Sequence, residues 1–286
     1  TTEIYTLSLH DALPICDEEM ENEVEKKGID PLKEKFNLFP VWKHLAFFIV
    51  GWLGLKVIGT IISTIVVTIY RSNGIDLKLE EFFQDAVIAN MIVNVVTYVL
   101  LAITLLLICG KSSLKEIGKQ FKNKNALIDG IAYGAFLLIA STAVTMLINL
   151  IRGGDNTVND NQAAIEIMTR VVPVPMFIMT VIFAPICEEV TYRLGLFNVL
   201  RRKNRWLAYV CASLIFAFIH FTIPDQGETF NADLANEFWN IPSYIVSGIV
   251  LCRAYEKHQN IATSMIAHAI NNFVAIIMTM ISVFLG

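Results

Sequence analysis

Seven stretches of this chain are long and apolar: roughly 45–70, 86–109, 126–151, 174–200, 206–222, 241–252 and 261–285. Most reach the ~20 residues that cross a ~30 Å hydrocarbon core as a helix. The pattern predicts an all-α fold, a polytopic transmembrane helical bundle of about seven spans, with six or eight also compatible. The 241–252 run is the shortest and is expected to be extended, tilted or re-entrant. Before the first run, residues 17–43 are rich in Glu and Lys with Pro31 and Pro40, and read as a charged cytoplasmic leader. Trp42, Lys43 and His44 have the character of interface anchors. Residues 44–286 form the expected transmembrane domain. The string Thr1–Ile15 resembles a translated sequencing adapter, so residues 1–16 are expected to be a non-native leader, and His10 and Asp11 carry no weight.

Composition strengthens this picture. A mean hydropathy of +0.57, with 55% hydrophobic and only 17% charged residues, lies outside the ordinary soluble range. The net charge of −4 says little, but the placement of basic residues says more. The 111–125 segment holds Lys111, Lys115, Lys119, Lys122 and Lys124, and the 201–205 segment holds Arg201, Arg202, Lys203 and Arg205. Arg253 and Lys257 lie in the next loop on that side, whereas the alternate loops are poor in Lys and Arg. The positive-inside rule then predicts a multi-pass protein of the cell membrane with a cytoplasmic N-terminus and, with seven spans, an external C-terminus. Topology accounts for the basic loops, so no nucleic-acid partner is expected. The five cysteines show no CxxC pair and no disulfide framework. Cys187 reads as a buried thiol rather than a nucleophile, because apolar burial raises a thiol pKa.

Several polar residues interrupt the apolar runs. Lys56, midway through the first, is expected to snorkel or to mark a displaced span boundary. Gly130 and Gly134 have the GxxxG spacing that allows close helix approach. Asn90 and Asn94, one turn apart, are expected to bond to neighbouring helices, and the acidic 223–240 stretch to be a solvated external loop.

The costliest interruption is Cys187-Glu188-Glu189-Val190-Thr191-Tyr192-Arg193, two carboxylates and a guanidinium in a spanning segment. An uncompensated charge at the bilayer centre costs about 2.5–3.5 kcal/mol on insertion scales, so its retention points to function. Glu189 and Arg193 are four apart and share a helical face, so they can pair. Glu188, rotated by ~100°, is left free to act as a general base in a dry pocket. Pro185 removes a backbone donor and can open the helix beside them. The fifth run ends Phe216-Ala217-Phe218-Ile219-His220, and the last contains His268-Ala269-Ile270-Asn271-Asn272, with His268 and Asn272 on one face. Together the three elements suggest a buried carboxylate–histidine site.

The ordered trio Glu188-Glu189-xxx-Arg193, Phe216-xxx-His220 and His268-xxx-Asn272 resembles that of the CPBP intramembrane proteases. That family comprises CAAX prenyl endopeptidases and bacteriocin-processing or immunity proteins. The resemblance covers roughly residues 170–285, which it marks as the protease core. In one departure, Leu194 separates the motif arginine from Gly195, where family members often have Gly directly.

The resemblance implies an endopeptidase acting on a membrane-associated peptide or protein tail, with the lipid bilayer as its other partner. Glu188 and His220 would activate a water, His268 and Asn272 would stabilise the oxyanion, and Glu189 and Arg193, with Phe216 beside them, would orient Glu188. It also admits a zinc ion on Glu188, His220 and His268, in the three-ligand pattern of catalytic zinc. The chain has no HExxH, which favours the metal-free glutamate route. A non-catalytic immunity or scaffold protein, using the cluster for packing, is the alternative reading. A transporter is disfavoured because no corresponding broken helices appear in two halves.

Overall fold

The computed structural model describes residues 39–153, 160–223 and 230–285; the adapter-like stretch 1–16 and leader residues 17–38 lie outside them. Nine helices follow in these segments. They are α1 (Val41–Ser72), α2 (Phe83–Cys109), α3 (Lys111–Gln120), α4 (Lys124–Ile151), α5 (Asp160–Val171), α6 (Pro173–Arg201), α7 (Arg205–Phe218), α8 (Phe230–His258) and α9 (Ile261–Leu285). All seven apolar runs lie on helices, and the all-α polytopic fold holds. Five helices are long and apolar enough to cross a membrane: α1, α2 with its preceding turn, α4, α6 and α9. At 14 residues α7 spans ~21 Å, short of the ~30 Å core. The short run at 241–252 is extended, as one alternative had it: α8 has 29 residues.

Three expectations are corrected. The 111–125 segment contains an amphipathic helix, α3, whose Leu114 and Ile117 face a small apolar cavity beside Phe47 and Leu105. The stretch from Phe230 to Asn240 is the first part of α8 rather than a loop, and its Glu237 is buried, accepting from the Thr222 N–H at 3.0 Å; residues 224–229 lie outside the described segments. His44 is no interface anchor. It is fully buried in the first turn of α1, and its Nδ1 contacts the Leu194 carbonyl of α6.

Local chemistry sets the helix starts. Asn123 and Asn204 accept from the N–H groups of Ala126 (3.2 Å) and Leu207 (3.0 Å), satisfying donors that a first turn leaves open. Gly110, at φ +77°, separates α2 from α3 in a conformation disfavoured for residues with a Cβ.

Packing is closest where side chains are absent. A Cβ on Gly134 would lie 2.8 Å from Ile270 Cβ of α9, and one on Gly130 would lie 3.0 Å from the Thr263 carbonyl oxygen. The GxxxG pair thus sets the α4–α9 contact. A Cβ on Gly195 would lie 2.8 Å from the Phe48 backbone nitrogen, so α1 and α6 also touch backbone to backbone. On the basic side, Glu256 of α8 accepts from Arg201 (2.6 Å), Arg205 (2.9 Å) and Tyr209 (2.7 Å), tying α6, α7 and α8 together.

Candidate active site

The helix that carries the charged motif is not a uniform α-helix. It turns α over 173–178, π over Met179–Phe183, α over Ala184–Glu189, π over Val190–Phe197 and α again over 198–201. Such π segments occur mostly as single turns and often at functional sites. Pro185 explains part of the pattern. The Ala184 N–H bonds to the Met179 carbonyl, five residues back. Continuing that register, Pro185 would serve the Thr180 carbonyl, but it has no N–H. Asn272 of α9 supplies the donor instead, its Nδ2 lying 3.0 Å from the Thr180 oxygen. The opened turn is thereby stitched to the last helix.

Behind it, Glu188 and Glu189 point in different directions. Glu189 is fully buried and contacts an arginine and a histidine at once. Its Oε2 stands 3.2 Å from Arg193 Nε, as the four-residue spacing predicts, and its Oε1 accepts from His268 Nδ1 at 2.9 Å. The arginine contact is one of charge rather than an aligned hydrogen bond, since neither atom has a hydrogen-bond partner by geometry. The Arg193 guanidinium also lies 4.7 Å above the Phe216 ring. Phe216 in turn packs against His220 (5.0 Å) and His268 (5.9 Å between ring centres), so one aromatic side chain braces the arginine and both imidazoles.

Glu188 faces a cavity of about 390 Å³, which His220, His268, Asn271 and Asn272 also line. Its Oε1 accepts from the Tyr98 hydroxyl of α2 at 3.4 Å. Its Oε2 is buried without a hydrogen-bond partner and stands 3.9 Å from His268 Nε2. His220 donates from Nδ1 to the Phe216 carbonyl at 2.9 Å and stacks on Tyr244, with ring centres 4.4 Å apart. Both imidazoles are therefore anchored through Nδ1, which leaves each Nε2 for other chemistry.

Of the residues named from the motifs, Glu188, Phe216, His220, His268 and Asn272 line this cavity, while Glu189 and Arg193 lie behind it and reach it through the Glu189–His268 bond. Glu189 joins Arg193 to His268, and the side chain that hydrogen-bonds to Glu188 is Tyr98, a residue the motifs did not include. Tyr98 was missed because a single tyrosine in an apolar span has no motif. A signal was present, since Asn90, Asn94 and Tyr98 recur every four residues along one face of α2. Asn94 Nδ2 bonds to Asn90 Oδ1 at 2.7 Å within α2. The two asparagines thus pair with each other rather than with neighbouring helices, and Asn94 also lines the cavity. Asn161 and Gln162 of α5 line it too, from outside the 170–285 segment.

Among the described residues no group of three His, Cys, Asp or Glu side chains converges closely enough to hold a metal ion. Glu188, His220 and His268 share the cavity wall but do not form a preassembled coordination shell. Cys187 is buried, its Sγ lying 3.6 Å from the Tyr98 carbonyl.

Comparison with known proteins bears on the same segment. Residues 170–274 match the family described as type II CAAX prenyl endopeptidase Rce1-like, a range that contains Glu188, Glu189, Arg193, Phe216, His220, His268 and Asn272. The chain is 23% identical over 150 residues to "UPF0177 protein YvdC" of Lactococcus lactis subsp. lactis, covering 50% of this chain and 52% of that protein. It is 23% identical over 181 residues to an "Uncharacterized protein" of Mycoplasma capricolum subsp. capricolum, covering 59% of this chain and 49% of that one. The chain thus spans about half the length of the curated relatives it matches. No solved structure matches. The resemblance to the CPBP proteases, read from three short motifs, holds across the segment that carries them.

Proposed function

We propose that this chain is an intramembrane endopeptidase that hydrolyses a peptide bond of a membrane-associated peptide or protein by a Glu188-activated water. The observation that carries the reading is Glu188 Oε2. It is a buried carboxylate oxygen with no hydrogen-bond partner, on the wall of a cavity shared with two histidines anchored through Nδ1. Buried polar atoms in folded proteins are nearly always paired, so this oxygen is suited to a reacting water or substrate.

The chemistry follows from these positions. Glu188 Oε2 takes a proton from water as its oxygen attacks the scissile carbonyl carbon. The carbonyl π bond opens and the oxygen becomes an oxyanion. The imidazole Nε2 atoms of His220 and His268 face the same space and donate to that developing charge when protonated, a contribution worth several kcal/mol in comparable sites. Collapse of the tetrahedral species breaks the C–N bond, and the proton held by Glu188 passes to the departing amine. The products are a carboxylic acid and an amine, with no covalent enzyme intermediate. In this arrangement Glu189 fixes the His268 tautomer and ring orientation. Asn272 holds α6 open at Pro185 through one amide hydrogen and has a second to offer the substrate. The match to the Rce1-like family over 170–274 supports peptide hydrolysis as the reaction class.

The test is product analysis. The purified full chain in phospholipid nanodiscs is incubated with a mixed library of apolar peptides in ¹⁸O-enriched water. New termini are expected by mass spectrometry, with one ¹⁸O in each new carboxyl group and no enzyme adduct after acid quenching. A trapped acyl-enzyme, or an unchanged library, would contradict the proposal.

A further inference from the structure

A second cavity, of about 490 Å³, adjoins the first: Leu55, Asn94, Tyr98 and Ile219 line both. Its remaining walls are largely apolar and aromatic, with Trp52, Ile215, Phe218 and Phe221 among them, and Lys56 is the one charged residue among the described residues that line it. Lys56 lies at the midpoint of the 32-residue α1, about 23 Å from either end at ~1.5 Å per residue. That distance exceeds the reach of a four-carbon side chain, so the ammonium group stays beside the middle turns of α1. Its ammonium group lies 5.5 Å from the centre of the Trp52 ring, and no carboxylate among the described residues pairs with it. A lysine held at mid-span marks a functional site by default, with a partner to be named.

Resting on the peptidase reading, we infer that this cavity binds a substrate segment that is apolar except for one carboxylate, which pairs with Lys56. Charge complementarity selects the carboxylate and the aromatic walls select the apolar neighbours. Tyr98 sits between this segment and Glu188: its ring lines both cavities and its hydroxyl contacts the Glu188 carboxylate. A peptide seated against Lys56 and running past Tyr98 therefore presents its backbone to the water-activating oxygen. Lys56 is a specificity residue in this scheme and touches no reacting atom.

The experiment separates this inference from the peptidase reading. Binding is measured on the Glu188→Gln full chain in phosphatidylcholine nanodiscs, where hydrolysis plays no part. Three fluorescent peptides share one apolar sequence: one ends in a free carboxylate, one is amidated with a single internal Glu, and one is amidated with Gln in its place. At least one carboxylate peptide is expected to bind about 30-fold tighter than the neutral one, the lower end for losing a partner of a desolvated charge pair. The two arms tell a chain terminus from an acidic side chain. Adding Lys56→Met should remove the difference, and adding Lys56→Glu should favour a peptide with Lys at that position. Equal or undetectable binding of all three, or a preference that survives Lys56→Met, overturns the inference. Hydrolysis of the same peptides by the wild-type chain is read separately. Cleavage without charge preference leaves the peptidase reading standing, and carboxylate-dependent binding without any cleavage contradicts that reading while leaving the Lys56 site.

Discussion

Two adjacent glutamates in this chain have divergent surroundings, and in the proposed mechanism that divergence leaves Glu188 to act as the base. Glu189 lies between Arg193 and His268, while Glu188 keeps one oxygen on Tyr98 and one without a partner. Removing the Glu189 charge strands a fully buried guanidinium. Glu189→Gln is expected to cost about 3–5 kcal/mol of stability, the usual price of breaking a buried ion pair, visible as a lowered midpoint of thermal unfolding in detergent. A midpoint unchanged from wild type would show that the pair contributes nothing. Tyr98→Phe removes one hydrogen bond to the Glu188 carboxylate without leaving a cavity. A loss of about 1 kcal/mol corresponds to a roughly fivefold fall in kcat with KM nearly constant; an unchanged kcat would remove Tyr98 from the site. At this scale the sequence was readable where spacing on one helix decides the contact, as for Glu189 with Arg193. It was silent where the contact crosses helices. Nothing in the spacing of α6 could tell that Glu189 reaches α9, or that Tyr98 comes from a helix ninety residues away from Glu188.

Among the elements, α6 departs furthest from its sequence pattern. An apolar run interrupted by Pro185 predicts a helix opened or kinked at that point. The π register could not be read, because it depends on which carbonyl each N–H selects rather than on the apolar pattern. The consequence is a specific coupling: the carbonyl that Pro185 leaves without a donor is served by Asn272. Asn272→Ala is expected to destabilise the fold by about 1–3 kcal/mol, the cost of a buried group left unsatisfied. Pro185→Ala restores a backbone N–H, so adding it to Asn272→Ala should recover much of that loss. Additive destabilisation in the double variant would show that the two residues do not serve the same carbonyl. The short amphipathic helices α3 and α5 escaped notice for another reason. Each is 12 residues or fewer, and their lysines, asparagines and glutamines resemble those of loops.

For the whole molecule, the apolar runs foretold where helices would lie, and all seven did. How deeply α7 and α8 enter the bilayer was less legible, because α7 is short and α8 begins among polar residues. The candidate site is an assembly of four helices and the turn that follows α7: α2 brings Tyr98, α6 Glu188, the turn His220, α8 Tyr244, and α9 His268 and Asn272. Its geometry therefore depends on packing far from the charges. Gly134 touches α9 at Ala267 and Ile270, on either side of His268. Gly134→Val must displace α9, and because a shift of about 1 Å can cost on the order of a hundredfold in rate, activity is expected to fall far more than helicity. Full activity with Val at that position would show that the α4–α9 distance does not govern the site.

The most direct test of the account is a comparison of wild type with Glu188→Gln, an almost isosteric change that removes the negative charge and with it the ability to accept a proton. Both are purified as full chains, matched for helix content and thermal midpoint, and assayed on a peptide that the wild type cleaves. The expected result is loss of at least about a thousandfold in kcat, consistent with removal of a general base that also positions the attacking water, together with retained peptide binding. Cleavage by Glu188→Gln at or near the wild-type rate would contradict the central claim that this carboxylate activates the water.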